Sequence, residues 1–270
     1  MVEPYASEFE RLVRLGAGVR DIHGAMEEVG YARRTLAPAS FVAREIARVE
    51  LHSAGTVPLL EVFAGRCGRV LDLGCSTGGS TVAVALSAGL GADVVVGADP
   101  DPLSLRAAEA RARGYGLDAR RIAFVRTKPG EPLPFASDSF DLVLSVSVLE
   151  FVPTAEGRKR LVDEMKRVVR PGGHVLLATP SPLRVRERHS RRLFGDFVRR
   201  DGYPWASPPW ALRAMVSDFE RVDIDAWVAE RALERVGMNK GPLPRAVAKG
   251  LAWAGAWQKV LVRKPAGLAA

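Results

Sequence analysis

The chain has 270 residues, 47% of them hydrophobic, and its formal net charge is +8. This length can bury a core, and no apolar run approaches the ~18 residues that a transmembrane helix needs, so no membrane span is expected. The acidic first residues are unlike a secretory signal peptide, and only two cysteines are present, Cys67 and Cys75. We therefore expect a cytoplasmic protein without a disulfide scaffold.

The positive charge leaves the class of partner open. It would favour nucleic acid, anionic lipid or an acidic metabolite. It would also follow from an arginine-biased composition with no binding role, because most of the basic residues are arginine. Charge alone therefore selects no partner.

The first predicted elements are helical and occupy residues 1–64. Apolar residues at 41, 42, 46, 49 and 51 recur at helical spacing. Pro38 and Ser40 are suitable start signals for this helix, and Gly55 and Pro58 punctuate the segment after it.

From residue 69 the pattern alternates between strands and helices. Strands are predicted at 69–73, 93–99, 121–126, 140–146 and 174–179. Helices are predicted at 80–88, 102–113 and 156–169, the last closed by Pro-Gly-Gly at 171–173. Because the strands are almost continuously apolar, this alternation implies a parallel sheet covered by helices on both faces.

The C-terminal third is less regular. Residues 181–206 form a charged connection too long for a simple turn. A helix is predicted at 207–216 with Ser207 as its cap, and strands at 219–227 and 257–264. The segment 229–256 separates those two strands.

The stretch V-L-D-L-G-C-S-T-G-G-S-T at 70–81 carries the first functional signal. Asp72 lies inside the strand end, where a carboxylate is costly unless it has hydrogen-bond partners. Asp99 ends the second strand, where an acid can accept bonds from both hydroxyls of a ribose. Ser76 replaces the second glycine of the dinucleotide fingerprint, and the Asp72 carboxylate would repel a pyrophosphate. The pattern instead suits a ligand with a positive charge or an amino group, although a tight turn without a ligand would also use these glycines.

Five ordered motifs share a family resemblance: V-L-D-L-G-C-S-T-G-G, V-V-G-A-D-P at 95–100, L-P-F-A-S-D-S-F-D-L-V at 133–143, L-E-F-V at 149–152 and R-V-V-R-P-G-G-H-V at 167–175. Together they resemble the class I S-adenosylmethionine-dependent methyltransferases, in the ubiquinone-biosynthesis-like branch that acts on small molecules and lipids. The likeness covers about residues 65–180.

The resemblance implies an α/β fold: a Rossmann-like, seven-stranded, mostly parallel sheet sandwiched by helices, with an antiparallel last strand. It implies an N-terminal helical cap or lid at 1–64 and a methyltransferase domain at 65–270, with insertions at about 181–206 and 229–256. It also implies S-adenosylmethionine as the cofactor and no metal.

The resemblance assigns the cofactor contacts by position. Asp72 and the backbone of 74–78 would hold the methionine moiety, and Asp99 would bind the ribose. The full set of expected cofactor residues is Asp72, Gly74, Cys75, Ser76, Thr77, Gly78, Asp99, Pro100, Thr127, Lys128, Pro129, Ser145 and Val146. Pro100 would flank the adenine, 127–129 would lie near its amino group, and 145–146 would line the floor.

Three positions depart from the family pattern. Relatives often carry an acid just before the L-P-F stretch to bind the adenine amino group; here either Glu131 or a backbone carbonyl would substitute. Phe151 stands where many relatives have His. Ser76 is expected to be tolerated in place of glycine because it is small.

The catalytic residues are less evident, because the sulfonium of the cofactor is already activated. The protein mainly aligns the acceptor and excludes water, and a hydroxyl acceptor would usually need a general base. The candidates for that base are His189, in the charged connection, and Glu150, directly after the fourth strand. His174 is expected to be packed in a strand, and His23 and His52 belong to the helical lid.

Three segments are candidates for the acceptor side, each with an alternative. The seven arginines of 184–200 could grip a phosphate or carboxylate or form a solvated helix face. The aromatic run at 202–210 could wall an acceptor pocket or pack as a loop. Residues 243–257 could form an amphipathic helix for a lipid acceptor, although packing against the sheet is favoured.

The first functional hypothesis is a methyltransferase for a small-molecule or lipid-like acceptor. An RNA methyltransferase is the second, favoured by charge but lacking an N-P-P-Y-like motif after the fourth strand, a Pro-Cys nucleophile and a recognisable RNA-binding module. The third is a catalytically silent protein that still binds S-adenosylmethionine.

Overall fold

The computed structural model describes residues 45–180, 209–235 and 257–267. The helices in these ranges are α1 Arg48–Phe63, α2 Gly79–Leu86, α3 Pro102–Gly114, α4 Ala155–Val168, α5 Pro209–Met215 and α6 Asp225–Arg235. The strands are β1 Arg69–Leu73, β2 Val94–Asp99, β3 Ile122–Arg126, β4 Phe140–Val146, β5 Val169–Pro180, β6 Glu220–Val222 and β7 Trp257–Arg263. A short 3-10 helix, Leu149–Phe151, follows β4.

The strands form one seven-stranded sheet in the order β3-β2-β1-β4-β5-β7-β6. Strands β3, β2, β1, β4 and β5 pair in parallel, and β7 pairs antiparallel with both β5 and β6. The predicted mostly parallel sheet with an antiparallel last strand is therefore confirmed. The order reverses beside β1, and ligands of open α/β sheets bind where the strand order reverses.

Helices cover both faces of the sheet and create two apolar layers. One layer joins α1, α2 and the end of α3 to the sheet, and Trp227 and Val228 of α6 pack against it. The other joins α4 and α5 through residues such as Val162, Met165 and Leu212. Each fully buried Leu or Met contributes about 1.5–3 kcal/mol, so these layers fix where the strand ends lie.

Helix α1 differs from the prediction, which placed punctuation at Gly55 and Pro58. The helix continues through both residues to Phe63, although proline removes one helical hydrogen bond. Val57, Leu59 and Leu60 are buried on either side of Pro58. Tertiary packing of this apolar face overrides the local helix-breaking signal.

Strand β5 also begins earlier than predicted. It starts at Val169, directly after α4, and contains the Pro-Gly-Gly that was expected to close the helix. The pairing with β4 shifts register between Phe140 and Leu142, so these residues form an irregular, bulged part of the strand. Gly173 permits the close approach, because a Cβ there would lie 2.7 Å from the Asp141 carbonyl oxygen.

The predicted strand at 219–227 is wrong beyond Val222. Strand β6 stops there, and α6 begins at Asp225. The Asp223 carboxylate accepts a hydrogen bond from the Asp225 backbone N–H, an interaction typical of a helix start. The alternating D-I-D-A-W pattern resembles a strand, but its aspartates act as helix-start residues.

Several predicted features lie outside the described residues: the cap before residue 45, the connection 181–206, Ser207 and the part of the 229–256 segment beyond Arg235. Within the described ranges, no helix is long and apolar enough to cross a membrane.

Candidate functional site

The carboxyl ends of β2, β1 and β4 lie side by side, because these are neighbouring parallel strands. In this register Asp72 is opposite Gly97 of β2 and Leu144 of β4. The parallel pairing brings the predicted Asp72, the loop 74–78, Asp99 and Ser145 to one edge of the sheet. The candidate site is this edge.

The loop 74–78 joins β1 to α2 and has an unusual backbone. Gly74, Ser76 and Gly78 all have positive φ, at 77°, 48° and 75°. The backbone N–H groups of Gly74 and Cys75 donate to the Ala98 carbonyl at 2.7 and 3.1 Å. These bonds anchor the loop to β2, so its shape depends on the neighbouring strand as well as on its own glycines.

The glycines of this loop are required by close packing within the protein. A Cβ on Gly74 would lie 2.2 Å from Val148 Cγ2, and one on Gly78 would lie 2.8 Å from Ala108 Cβ. Ser76, unlike the two glycines, carries a Cβ, so its left-handed conformation costs about 1–2 kcal/mol. The backbone conformation of Ser76 therefore adds a cost that its small size does not remove.

Asp72 is buried at the end of β1 and its partners are side-chain hydroxyls. Ser80 Oγ and Thr81 Oγ1 donate to Asp72 Oδ2 at 2.6 and 2.7 Å. Burial raises the pKa of this carboxyl, and the two hydroxyl bonds only partly offset that effect. Asp72 therefore ties the first turn of α2 to β1, a role that the sequence pattern did not indicate.

Asp99 ends β2 and accepts hydrogen bonds from two backbone N–H groups. Ser76 N–H donates to Oδ2 at 2.8 Å, and Asp101 N–H donates to Oδ1 at 2.9 Å. Burial raises the pKa of Asp99 to about 6, despite these bonds. A carboxylate has about four acceptor sites, so each oxygen can still accept one bond from a ligand hydroxyl.

The end of β4 contributes one polar side chain with an unmet hydrogen bond. Ser145 is 2% exposed, and its Oγ has no hydrogen-bond partner among the described residues. Val146, the last residue of β4, is half-buried and packs against the α1–α2 layer. Two residues past Val148, Glu150 is buried in the 3-10 helix. A buried hydroxyl near the end of β4 and a buried carboxylate just after it therefore lie close together in sequence.

The residues after β2 and β3 lie next to Asp99. Thr127 N–H donates to the Asp99 carbonyl oxygen at 3.1 Å, which brings 127–129 beside Pro100. Lys128 and Pro129 are exposed. The Glu131 side chain is 59% exposed and forms an ion pair with Lys128 at 3.3 Å, so it is held at the surface of this loop.

The two histidines that the structure describes, His52 and His174, do not lie at the strand ends that form the site. His174 is half-buried in the first half of β5 and pairs in register with Arg263, away from the carboxyl edge that forms the site. Burial lowers its pKa, and Arg263 and Arg170 lower it further. His52 lies on α1 with Nδ1 3.3 Å from Thr56 Oγ1. His23, His189 and the basic segment 184–200 lie outside the described residues.

Comparison with known proteins shows which family this part of the chain resembles. The family described as "Methyltransferase domain" matches residues 71–177, the interval from β1 to β5. An uncharacterized methyltransferase of Mycobacterium leprae (strain Br4923) is 37% identical over 142 residues, 52% of this chain and 48% of that protein. A ubiquinone biosynthesis O-methyltransferase of Rhizobium etli is 35% identical over 113 residues, 41% of this chain and 40% of that enzyme. The chain thus spans less than half the length of these relatives.

A solved structure shares this fold. The crystal structure of the [4+2]-cyclase SpnF aligns with a TM-score of 0.52 and 22% identity, over 80% of this chain and 81% of that one. The segment from β1 to β5 is therefore a methyltransferase domain by its family match. Because SpnF is a cyclase, this methyltransferase fold does not by itself specify the reaction.

Sequence analysis did not identify three polar residues at this site of the methyltransferase domain. Ser80 and Thr81 hold Asp72, and Glu45 accepts a hydrogen bond from Thr77 Oγ1. The two hydroxyl residues had a detectable signal, since they follow the glycine loop in the first turn of a helix. Glu45 had none, because its contact spans 32 residues of sequence.

Proposed function

We propose that the chain transfers a methyl group from S-adenosylmethionine to a small-molecule or lipid-like acceptor. The observation that carries this proposal is the buried Asp99 carboxylate beside the loop 74–78 at the carboxyl edge of the sheet. The name of the Rhizobium etli relative, a ubiquinone biosynthesis O-methyltransferase, supports a small acceptor.

The residues present fit this cofactor. Asp99 has free acceptor positions for two ribose hydroxyls, and Pro100 with Thr127, Lys128 and Pro129 would flank the adenine. The backbone of Gly74, Cys75, Ser76, Thr77 and Gly78 would surround the methionine moiety, with Asp72 fixing the helix behind it. The unpartnered Ser145 Oγ supports a polar ligand atom near the floor that Ser145 and Val146 would form.

When bound, S-adenosylmethionine would supply a methyl group already activated on a sulfonium. The chain would then need to orient the acceptor, exclude water and, for a hydroxyl acceptor, accept its proton. Glu150 is the described candidate for that proton acceptor, because it is buried directly after β4. His189 is the second candidate.

We also propose the domain division and compartment predicted above: a cap at 1–64, a methyltransferase domain at 65–270 and a cytoplasmic location. The two buried free thiols, Cys67 and Cys75, support a reducing compartment. Helix α1, assigned to the cap, packs on α2 in the core of the domain.

The test is calorimetric titration of the full chain with S-adenosylmethionine and S-adenosylhomocysteine, followed by transfer of labelled methyl to small metabolites and to RNA. Binding with transfer to a small acceptor supports the proposal. Binding without transfer to any acceptor would favour a silent protein, and absence of binding would remove the cofactor assignment.

The RNA alternative has its own discriminating measurement. An RNA acceptor would engage many phosphates, so retention would fall steeply with salt and would depend on Arg191 and Arg192. A small anionic acceptor would engage one or two arginines with a weak salt dependence. RNA retention at physiological salt that is lost in Arg191→Ala/Arg192→Ala would overturn the small-molecule proposal.

A further inference from the structure

Glu45 connects the chain before α1 to the loop 74–78. Its side chain is only 8% exposed, and its Oε2 accepts a 2.5 Å hydrogen bond from Thr77 Oγ1. Thr77 is the residue between the strained Ser76 and the left-handed Gly78. Glu45 therefore holds the loop at a residue flanked on both sides by left-handed backbone.

Two arginines hold this carboxylate in place. Arg48 Nη1 lies 3.2 and 3.3 Å from the two oxygens of Glu45. Arg111 of α3 is completely buried; its Nη2 donates to the Glu45 carbonyl oxygen and lies 3.9 Å from Glu45 Oε2. Burial acts to raise the pKa of Glu45, but Arg48, the Thr77 bond and Arg111 outweigh it and lower the pKa. Glu45 therefore remains ionised.

The same arginines close around the turn that follows the loop. A Cβ on Gly79 would lie 2.6 Å from Arg48 Cβ and 2.7 Å from Arg111 Nη1. The first residue of α2 thus packs directly against both side chains. Glu45, Arg48 and Arg111 form one cluster over Thr77 and Gly79.

A strained loop needs such support. Left-handed conformations of non-glycine residues persist only where the surroundings over-determine them. On one side, β2 anchors the loop through the Ala98 carbonyl and the Asp99 carboxylate. The Glu45 carboxylate supplies a second anchor through Thr77.

We propose that Glu45 is a positioning residue for the cofactor loop: Arg48 and Arg111 hold its carboxylate, which holds Thr77 and keeps 74–78 in the shape that receives S-adenosylmethionine. This role rests on the proposed function of that loop. If Glu45 has this role, loss of its contacts lowers cofactor affinity, and bound cofactor stabilises the packing of Glu45 against the loop.

The molecule contains a matched control at the other end of α2. Ser87 Oγ donates a 2.6 Å hydrogen bond to Glu61 Oε1 of α1. This is the same type of hydroxyl-to-carboxylate bond, and it joins α1 to the C-terminal end of α2. It lies at the opposite helix end from the loop, so its loss would affect stability alone.

The experiment compares Glu45→Gln, Thr77→Val and their double variant with Glu61→Gln and Ser87→Ala. Glutamine keeps the size of Glu45 but removes its negative charge and replaces one of the two acceptor oxygens with an NH2 donor. We expect each of the first two changes to weaken S-adenosylhomocysteine binding about tenfold, with the double variant no worse than the singles. Thr77→Ser, which keeps the hydroxyl, should bind more tightly than Thr77→Val. The control variants should lose unfolding free energy while keeping affinity within about twofold.

Hydrogen exchange of residues 74–79 in the ligand-free protein provides a readout independent of the cofactor. Exchange should accelerate in Glu45→Gln and not in Glu61→Gln. If the wild-type chain fails to bind S-adenosylhomocysteine, the proposed function falls, and this exchange difference still decides whether Glu45 positions the loop. Equal exchange in the two variants, or equal affinity losses in the Glu45 and Glu61 pairs, would overturn the positioning role.

Discussion

The aspartates at the two edges of the parallel sheet differ in burial and in partners: Asp138 and Asp141 are half-buried, whereas Asp72 and Asp99 are buried. At the amino edge, Asp141 pairs with Arg170 at 2.5 Å, and Asp138 pairs with the buried Lys264 at 2.7 Å. At the carboxyl edge, neither Asp72 nor Asp99 forms an ion pair with any described residue; hydroxyls and backbone N–H groups take that place.

The pKa shifts follow this difference. Burial would raise the pKa of Asp141, but the Arg69 N–H and Arg170 lower it overall. Burial dominates at Asp72 and Asp99 and raises both pKa values. Asp141 at the amino edge is thus stabilised in its ionised form, whereas ionisation of Asp72 and Asp99 at the carboxyl edge opposes folding. Such an arrangement is typical of a binding site. Glu45, which contacts the loop 74–78, is ion-paired and is the exception at the carboxyl edge.

The largest expected effect is on stability at the amino edge. Lys264 is 2% exposed, and its Nζ also donates to the carbonyl oxygens of Lys166 and Val169. Lys264→Met keeps the volume and removes all three bonds, so we expect a loss of about 2–3 kcal/mol in unfolding free energy. Urea unfolding measures it, and S-adenosylhomocysteine affinity should not change.

A matched control is Lys159→Met. The Lys159 side chain is 73% exposed and pairs with Asp163, a surface pair of the kind that contributes less than about 1 kcal/mol. Equal losses in the two variants would show that the buried ion pair has no special role at the amino edge.

At the carboxyl edge the expected effect is on binding. Asp99→Asn should weaken S-adenosylhomocysteine binding more than tenfold, because charged hydrogen bonds contribute about 1.5–3 kcal/mol each. Stability at pH 7 should change little, because asparagine loses one of the two backbone N–H bonds but removes a charge that the folded state disfavours, as the pKa raised to about 6 indicates. Calorimetry and urea unfolding test the two parts.

Asp101→Asn is the control for this variant, because it removes the same charge two residues away. Asp101 caps α3 by accepting from the Leu103 and Ser104 N–H groups, and asparagine is an equally good cap. Affinity that falls equally in both variants would remove the ribose assignment of Asp99.

The third expected effect is a pH dependence of binding. With a pKa of about 6, Asp99 is mostly ionised at pH 7 and mostly protonated at pH 5, where it can no longer accept both ribose hydroxyls. Affinity for S-adenosylhomocysteine should fall about tenfold from pH 7 to pH 5. Asp99→Asn should bind weakly but equally at both values. A parallel decline in wild type and variant would place the titration elsewhere, for instance at Asp72.

The contrast also indicates what a sequence can predict. Strands β1 and β4 have the predicted bounds, and β2 and β3 differ by one residue, because each is an apolar run between clear breaks. Parallel pairing then placed Asp72 and Asp99 at one edge. Their position at one edge could be predicted from sequence because each lies at the end of a neighbouring parallel strand.

The remaining features depend on contacts that sequence spacing does not encode. Helix α1 continues through Pro58 because of core packing, and the aspartates after β6 start a helix. The bonds of Glu45 with Thr77 and of Lys264 with Asp138 span 32 and 126 residues. Neither partner could be identified before the fold was known.

The smallest expected effect concerns the backbone of the site loop. Ser76→Gly relieves a φ of 48°, worth about 1–2 kcal/mol, but glycine costs about 0.5–1 kcal/mol more entropy on folding. The net expectation is a stabilisation of about 0.5–1 kcal/mol, measured by urea unfolding. Ser76→Ala is the control, because it removes the hydroxyl and keeps the strain, so its stability should match the wild type. If alanine stabilised as much as glycine, the serine hydroxyl would be the destabilising group. A stabilisation by glycine alone would show that the carboxyl edge holds strain at the point where Ser76 N–H reaches Asp99.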